Sequence, residues 1–120
     1  MKYMFLIYLD DAKFAPMSQD ERDGFGNAML DYDDELRASG NYLFSEPLKM
    51  PNEAITVRTW DGTLSTTDGP FAETKEHLSG FHIIEARDLN EAVALAARMP
   101  LARVGSIEVR PVGHLERIEK

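Results

Sequence analysis

The sequence predicts an α+β fold, a ferredoxin-like βαββαβ plan with an inserted β-hairpin, and three observations carry that prediction. Apolar runs with two-residue alternation mark strands near both ends of the chain. Two helical stripes, each opened by a capping residue, separate strand-like segments. Between the two halves, Asp61-Gly62 stands between β-branched runs, the turn chemistry of a hairpin. With 120 residues, 43% hydrophobic and 28% charged, the chain reads as one globular domain over residues 1–120, with 113–120 as a tail.

The elements follow in order. Residues 2–9 are apolar on both alternating faces, Tyr3, Phe5, Ile7 and Leu9 on one and Met4, Leu6 and Tyr8 on the other, so this strand is central in its sheet. Ser18-Gln19-Asp20-Glu21 is a capping box. Behind it Phe25, Met29, Tyr32 and Leu36 recur at helical spacing until Gly40, although Gly24 and Gly26 weaken the first half. Tyr42 to Leu48 forms a strand before the Pro47 and Pro51 breaks, and residues 54–60 and 63–67 pair as the hairpin. A turn at Asp68 to Phe71 and a charged loop lead to a strand from Gly80 to Arg87. Asp88 caps a second helix, Ala-rich and ended by Pro100, and Ile107, Val109 and Val112 belong to the last strand. Two helices cover one face of a sheet, yet the first strand is apolar on both. A partner subunit's sheet over the second face, in a homodimer, is therefore expected.

Composition excludes several classes. The formal net charge of -8 is spread along the chain without a basic block, which argues against nucleic acid and anionic membrane surfaces as partners. There is no cysteine, which removes disulfides, thiolate catalysis and cysteine-based zinc sites. The apolar start, Met1 to Leu9, is too short for a signal segment or a membrane span, so a cytoplasmic location is expected. His77, His82 and His114 show no metal-ligand spacing, and neither a metal nor a cofactor is expected.

Three ordered blocks carry a resemblance. "MKYMFLIY" at the start, "TTDGPFAETKEHLSGFHIIEARDLNEAVALAARMP" in the middle and "GSIEVRPV" near the end resemble the DGPF-domain branch of the YCII-related family, over nearly the whole chain from Met1 to Val112. The resemblance implies a dimeric α+β barrel with a cleft between sheets and helices near the dimer interface. Most DGPF proteins have no established activity, and many are encoded beside sigma factors of the extracytoplasmic-function class. Some YCII-type relatives are thought to be enzymes that use a His–Asp pair in the cleft. Alignment puts Met29 at the position of that histidine and Met99 at that of the aspartate, so the resemblance does not carry the pair over.

The remaining candidate chemistry centres on the segment after the hairpin. Asp68, with Lys75 and His82 assisting, is the candidate acid/base group. Tyr8, Arg58, Gly69, Pro70, Phe71 and Glu73 are candidate ligand contacts, with Trp60 and Arg110 as further strand residues suited to lining a pocket. Each has a plainer reading. Asp68 and Gly69 suit a turn, Pro70 suits the start of a short helical turn, and Phe71 suits a core anchor, which makes a structural corner the first reading. His82 is more commonly a hydrogen-bonded strand histidine than a base. Arg58 and Arg110 suit ion pairs on a solvated face, and Met29 and Met99 suit core filling. Asp31, Asp33, Asp34 and Glu35 suit a solvated helix face. The leading functional expectation is a homodimer binding a small molecule in the interface cleft. The alternatives are a lyase, isomerase or hydrolase acting on a small carboxylate or lactone, and an interaction module serving a sigma factor.

Overall fold

The computed structural model describes residues 1–119. Its elements run β1 (Lys2–Asp10), α1 (Asp11–Phe14), α2 (Gln19–Ala38), β2 (Tyr42–Pro47), β3 (Ile55–Trp60), β4 (Thr63–Asp68), β5 (Glu76–Glu85), α3 (Leu89–Ala97) and β6 (Gly105–Pro111), with 3-10 turns at Pro51–Glu53 and Pro100–Arg103. Four strands form an antiparallel sheet in the order β2-β5-β1-β6, the ferredoxin-like arrangement, and β3-β4 form a separate two-stranded sheet. β1 is central, as its two-sided apolar pattern requires.

Local chemistry sets the helix ends. Ser18 Oγ accepts from the Glu21 backbone N–H at 3.1 Å while Glu21 Oε1 accepts from the Ser18 N–H at 3.2 Å, closing the capping box at the start of α2. Gly40, at φ 79°, ends the helix in the left-handed region. Asp88 accepts from the Glu91 N–H at 2.9 Å and starts α3. Asp61 at φ 53° and Gly62 at φ 75° give the paired positive angles of the hairpin turn.

The core lies between the sheet and α2 and α3. Tyr3, Phe5, Ile7 and Leu9 bury the inner face of β1 against Tyr32 and Leu36 from α2 and Ala92, Leu95 and Ala96 from α3. Alanines at two of these positions let α3 approach the sheet closely. Met99 is sealed in the core, whereas Met29 packs at its edge. The outer-face residues Met4, Leu6 and Tyr8 stay half-buried. The hairpin stands away from this body: the radius of gyration is 16.9 Å, against roughly 14 Å for a compact chain of this length. Its apolar side chains face solvent, with Ile55, Val57 and Leu64 each more than 60% exposed.

Four expectations, for β5, Pro70, Phe71 and Asp33, are corrected, and the short helix α1 is an element the sequence pattern did not indicate. β5 starts at Glu76, not Gly80, because it pairs with β1 out to Asp10 across a register shift that leaves Ser79 as a bulge. The four residues of α1 continue directly from β1, where Asp10 accepts from the Ala12 N–H at 2.9 Å. Pro70 opens no helical turn, and Phe71 is 79% exposed instead of anchored, because the base of the protruding hairpin has no core beneath it. The corner itself is tied by Gly69, whose N–H donates to Ala54 O at 2.6 Å and whose carbonyl accepts from Thr56 Oγ1 at 2.8 Å. Finally, Asp33 does not share the solvated face of its acidic neighbours. It is buried, four residues after Met29 and three before Leu36, on the stripe of α2 that faces the sheet. No described helix is long and apolar enough to cross a membrane.

Candidate active site

β5 presents His82 on the helix-covered face, directly opposite Phe5 of β1 and Ser45 of β2. α2 brings Asp33 to it. His82 Nε2 lies 2.6 Å from Asp33 Oδ1, with side-chain exposures of 5% and 12%. A carboxylate only accepts, so Nε2 carries the hydrogen and donates it to Asp33. In the neutral imidazole this leaves Nδ1 as a bare acceptor. Nδ1 is buried and has no hydrogen-bond partner.

The surroundings hold the pair in place. Ser45 Oγ lies 3.5 Å from Asp33 Oδ2 and 2.7 Å from the Tyr42 hydroxyl, so both carboxylate oxygens have a polar neighbour. The rings of Tyr32 and Tyr42 meet His82 edge-on, with centroids 6.0 and 6.3 Å away. Tyr32 donates to Leu95 O at 2.6 Å, and burial pushes its phenol far above the ordinary tyrosine range; Arg98 counters this in part, while Asp33 and Glu35 add to it. Tyr32 therefore acts as a neutral wall, not as a proton donor to the site. In front of the pair lies a cavity of about 320 Å³, mostly apolar, walled by Ile7, Leu9, Phe25, Met29 and Leu101 and reached by His82, Asp33 and Arg22. The arrangement is chemically a general base oriented by a carboxylate, facing a space large enough for one small ligand.

A second His–Asp pair sits lower on the same strand. His77 Nε2 lies 2.7 Å from Asp11 Oδ1, and Ser79 Oγ lies 3.3 Å from His77 Nδ1, so both ring nitrogens are occupied. Asp11 is 61% exposed. This pair borders an open cleft of about 1080 Å³ between the sheet and the hairpin base.

The sequence-derived candidates divide between these places. Tyr8, Gly69, Pro70, Phe71 and Glu73 come together along the open cleft. His82 lies in the other cavity, on the far side of β5's bulge. Asp68 closes β4 opposite Ile55, is exposed, and lines neither space. Lys75 is exposed, its Nζ 3.8 Å from Asp10 Oδ2. Arg58 stacks over Trp60 at 4.8 Å on the hairpin, and Arg110 pairs with Glu108. The proposed trio of Asp68, Lys75 and His82 is thus not assembled in one site. Sequence reading missed Asp33, Ser45 and Arg22. The signal for Asp33 was its place on the Phe25, Met29, Leu36 stripe, masked by the acidic residues around it.

Comparison with known proteins agrees with this architecture. The YCII-related domain model matches residues 1–116. An uncharacterised protein of Rhizobium meliloti (strain 1021) is 32% identical over 114 residues, covering 93% of this chain and 92% of that one. Among solved structures, 5-chloro-2-hydroxyhydroquinone dehydrochlorinase (TftG) from Burkholderia phenoliruptrix AC1100, in complex with 2,5-dihydroxybenzoquinone, superposes with a TM-score of 0.54 at 18% identity over 95% of both chains, a likeness of fold. With the family model covering almost the full length and a relative at this identity, the chain belongs to the YCII-related family.

Proposed function

We propose that this protein binds a small, largely apolar molecule in front of the His82–Asp33 pair and moves a proton on it, as a lyase or isomerase. One observation carries the reading: a buried imidazole, oriented by a buried carboxylate and with its Nδ1 unpartnered, lines an apolar cavity. Nδ1 takes a proton from a C–H made acidic by a neighbouring carbonyl or enol, and Asp33 stabilises the imidazolium that results. In an elimination, the electron pair released from that C–H becomes the new double bond and the leaving group departs from the adjacent carbon with its own pair. In an isomerisation, the imidazolium returns the proton elsewhere on the ligand. The Met29 and Met99 positions do not supply this pair; Asp33, one turn beyond Met29 on α2, forms one with His82 of β5. The neighbouring fold's dehydrochlorinase activity is itself an elimination, which favours the lyase class over the hydrolase.

The unit is proposed to be a homodimer. The exposed apolar hairpin and the half-buried outer face of β1 support it, since a monomer would leave both in water. The proposal is tested by incubating the full chain with 5-chloro-2-hydroxyhydroquinone, small carboxylates and lactones, measuring chloride release or solvent deuterium uptake. Turnover should fall by about a hundredfold or more in His82→Asn and Asp33→Asn. Turnover unchanged in both variants would exclude the pair as the acid/base group.

A further inference from the structure

Among the described residues, two buried side-chain polar atoms lack a hydrogen-bond partner: His82 Nδ1 and Arg22 Nε. Both residues line the same cavity. Buried polar atoms are paired in the great majority of cases, so two orphans on residues that line one cavity point to a ligand there. They ask for opposite things. Nδ1 accepts, while a guanidinium nitrogen only donates and carries permanent charge.

The fold sets them apart along the cavity. Arg22, Gly26, Met29 and Asp33 fall on one stripe of α2, and the eleven steps from Arg22 to Asp33 span about 16 Å of helix axis. Arg22 is held at the α1 end, where its Nη2 donates to Ala15 O at 2.6 Å and its guanidinium carbon lies 5.9 Å from the Phe14 ring centre. No carboxylate of the described residues pairs with it. The carboxylate on the cavity is that of Asp33, at the His82 end, where β2 pairs Ser45 with His82; Glu46, next along β2, turns its side chain to the other face of the sheet. One end is therefore cationic and the other acidic, and an anion is favoured only at Arg22.

Resting on the acid/base reading of this cavity, we infer that its ligand is an elongated acid, with a carboxylate or similar oxyanion held by the Arg22 guanidinium and a neutral, reacting end at His82. An apolar body of about one ring lies across Phe25 and Met29 between them. Arg22 is then the residue that selects anionic ligands and sets which way round they bind, because reversal would bring the oxyanion against Asp33.

Titration calorimetry of the full chain with para-hydroxyphenylpropionate, its primary amide and phenylpropionate tests this. The acid should bind about tenfold tighter than the amide, the scale of one charge-assisted hydrogen bond. Arg22→Gln should erase the acid-over-amide preference, and Arg22→Lys should keep part of it, with circular dichroism confirming that each variant folds. His82→Asn should leave that preference intact while losing the advantage of the hydroxylated acid over phenylpropionate. Equal affinity for acid and amide in the native chain, no saturable binding of any of the three, or a preference that survives in Arg22→Gln would overturn the Arg22 assignment. Loss of the acid preference in Arg22→Gln, with His82→Asn indifferent to the hydroxyl, would instead defeat the acid/base reading and leave Arg22 as the anion site.

Discussion

β5 carries two histidine–aspartate pairs of nearly equal length, 2.6 Å at His82–Asp33 and 2.7 Å at His77–Asp11, and they are built for different work. The first is roofed by α2 and leaves one ring nitrogen unpartnered and buried. The second spends both nitrogens on protein groups and leaves its aspartate mostly in water. The same two side chains thus make the proposed base in one place and a clasp at a strand end in the other. Burial and the count of free valences decide, not the pair itself.

The largest contrast should appear on removing each carboxylate. Asp33→Ala leaves a buried imidazole N–H unpaired and should cost about 3 kcal/mol in urea unfolding. Asp11→Ala removes a partly solvated partner and should cost under about 1 kcal/mol. Equal costs would mean that burial does not separate the pairs.

Next in size is the wall behind His82. Tyr32→Phe removes a buried hydrogen bond to Leu95 O and should cost about 1 to 2 kcal/mol at neutral pH. Because folding raises the Tyr32 phenol above its unfolded value, its contribution is complete below the unfolded pKa of about 10 and is lost as pH rises beyond it. Unfolding measured from neutral pH into strong alkali should therefore show a steeper loss in the native chain than in Tyr32→Phe. Parallel curves would show that the phenol titrates freely in the folded protein.

Smaller effects sharpen the same division. An added methyl meets nothing within 4 Å at Gly24 or Gly26, so each Gly→Ala change should stabilise α2 by about 0.5 to 1 kcal/mol. Only Gly26 lines the His82 cavity, so Gly26→Ala should also weaken ligand binding while Gly24→Ala does not. On the open side, Val57→Lys should change monomer stability by less than about 0.5 kcal/mol. Light scattering should nevertheless show the proposed homodimer dissociating, with the hairpin face as its seam. A dimer that persists would place the seam elsewhere.

Much of the fold was legible because it rests on short-range chemistry. Ser18-Gln19-Asp20-Glu21, Asp61-Gly62, Gly40 and Asp88 each dictate a local backbone path through hydrogen bonds or glycine freedom that a reader can count along the chain. The site was less legible. Asp33 stood inside an acidic run, and only the helical phase that points it inward, unlike Asp34, separates it from solvated neighbours. The bulge at Ser79 was equally hidden, since it arises from pairing with β1 and not from any residue preference.

By itself, then, the sequence determined the order of elements, the centrality of β1, the turn chemistry and the family, all properties of periodicity and of neighbours within a few residues. Tertiary structure alone decided that Asp33 and His82, 49 positions apart, meet at hydrogen-bond distance, and that Asp68 and Phe71 stay in solvent. The reason is physical: a backbone turn is set by the residues that make it, whereas a buried polar pair exists only once a helix has docked on a sheet and excluded the water that would otherwise satisfy each partner alone.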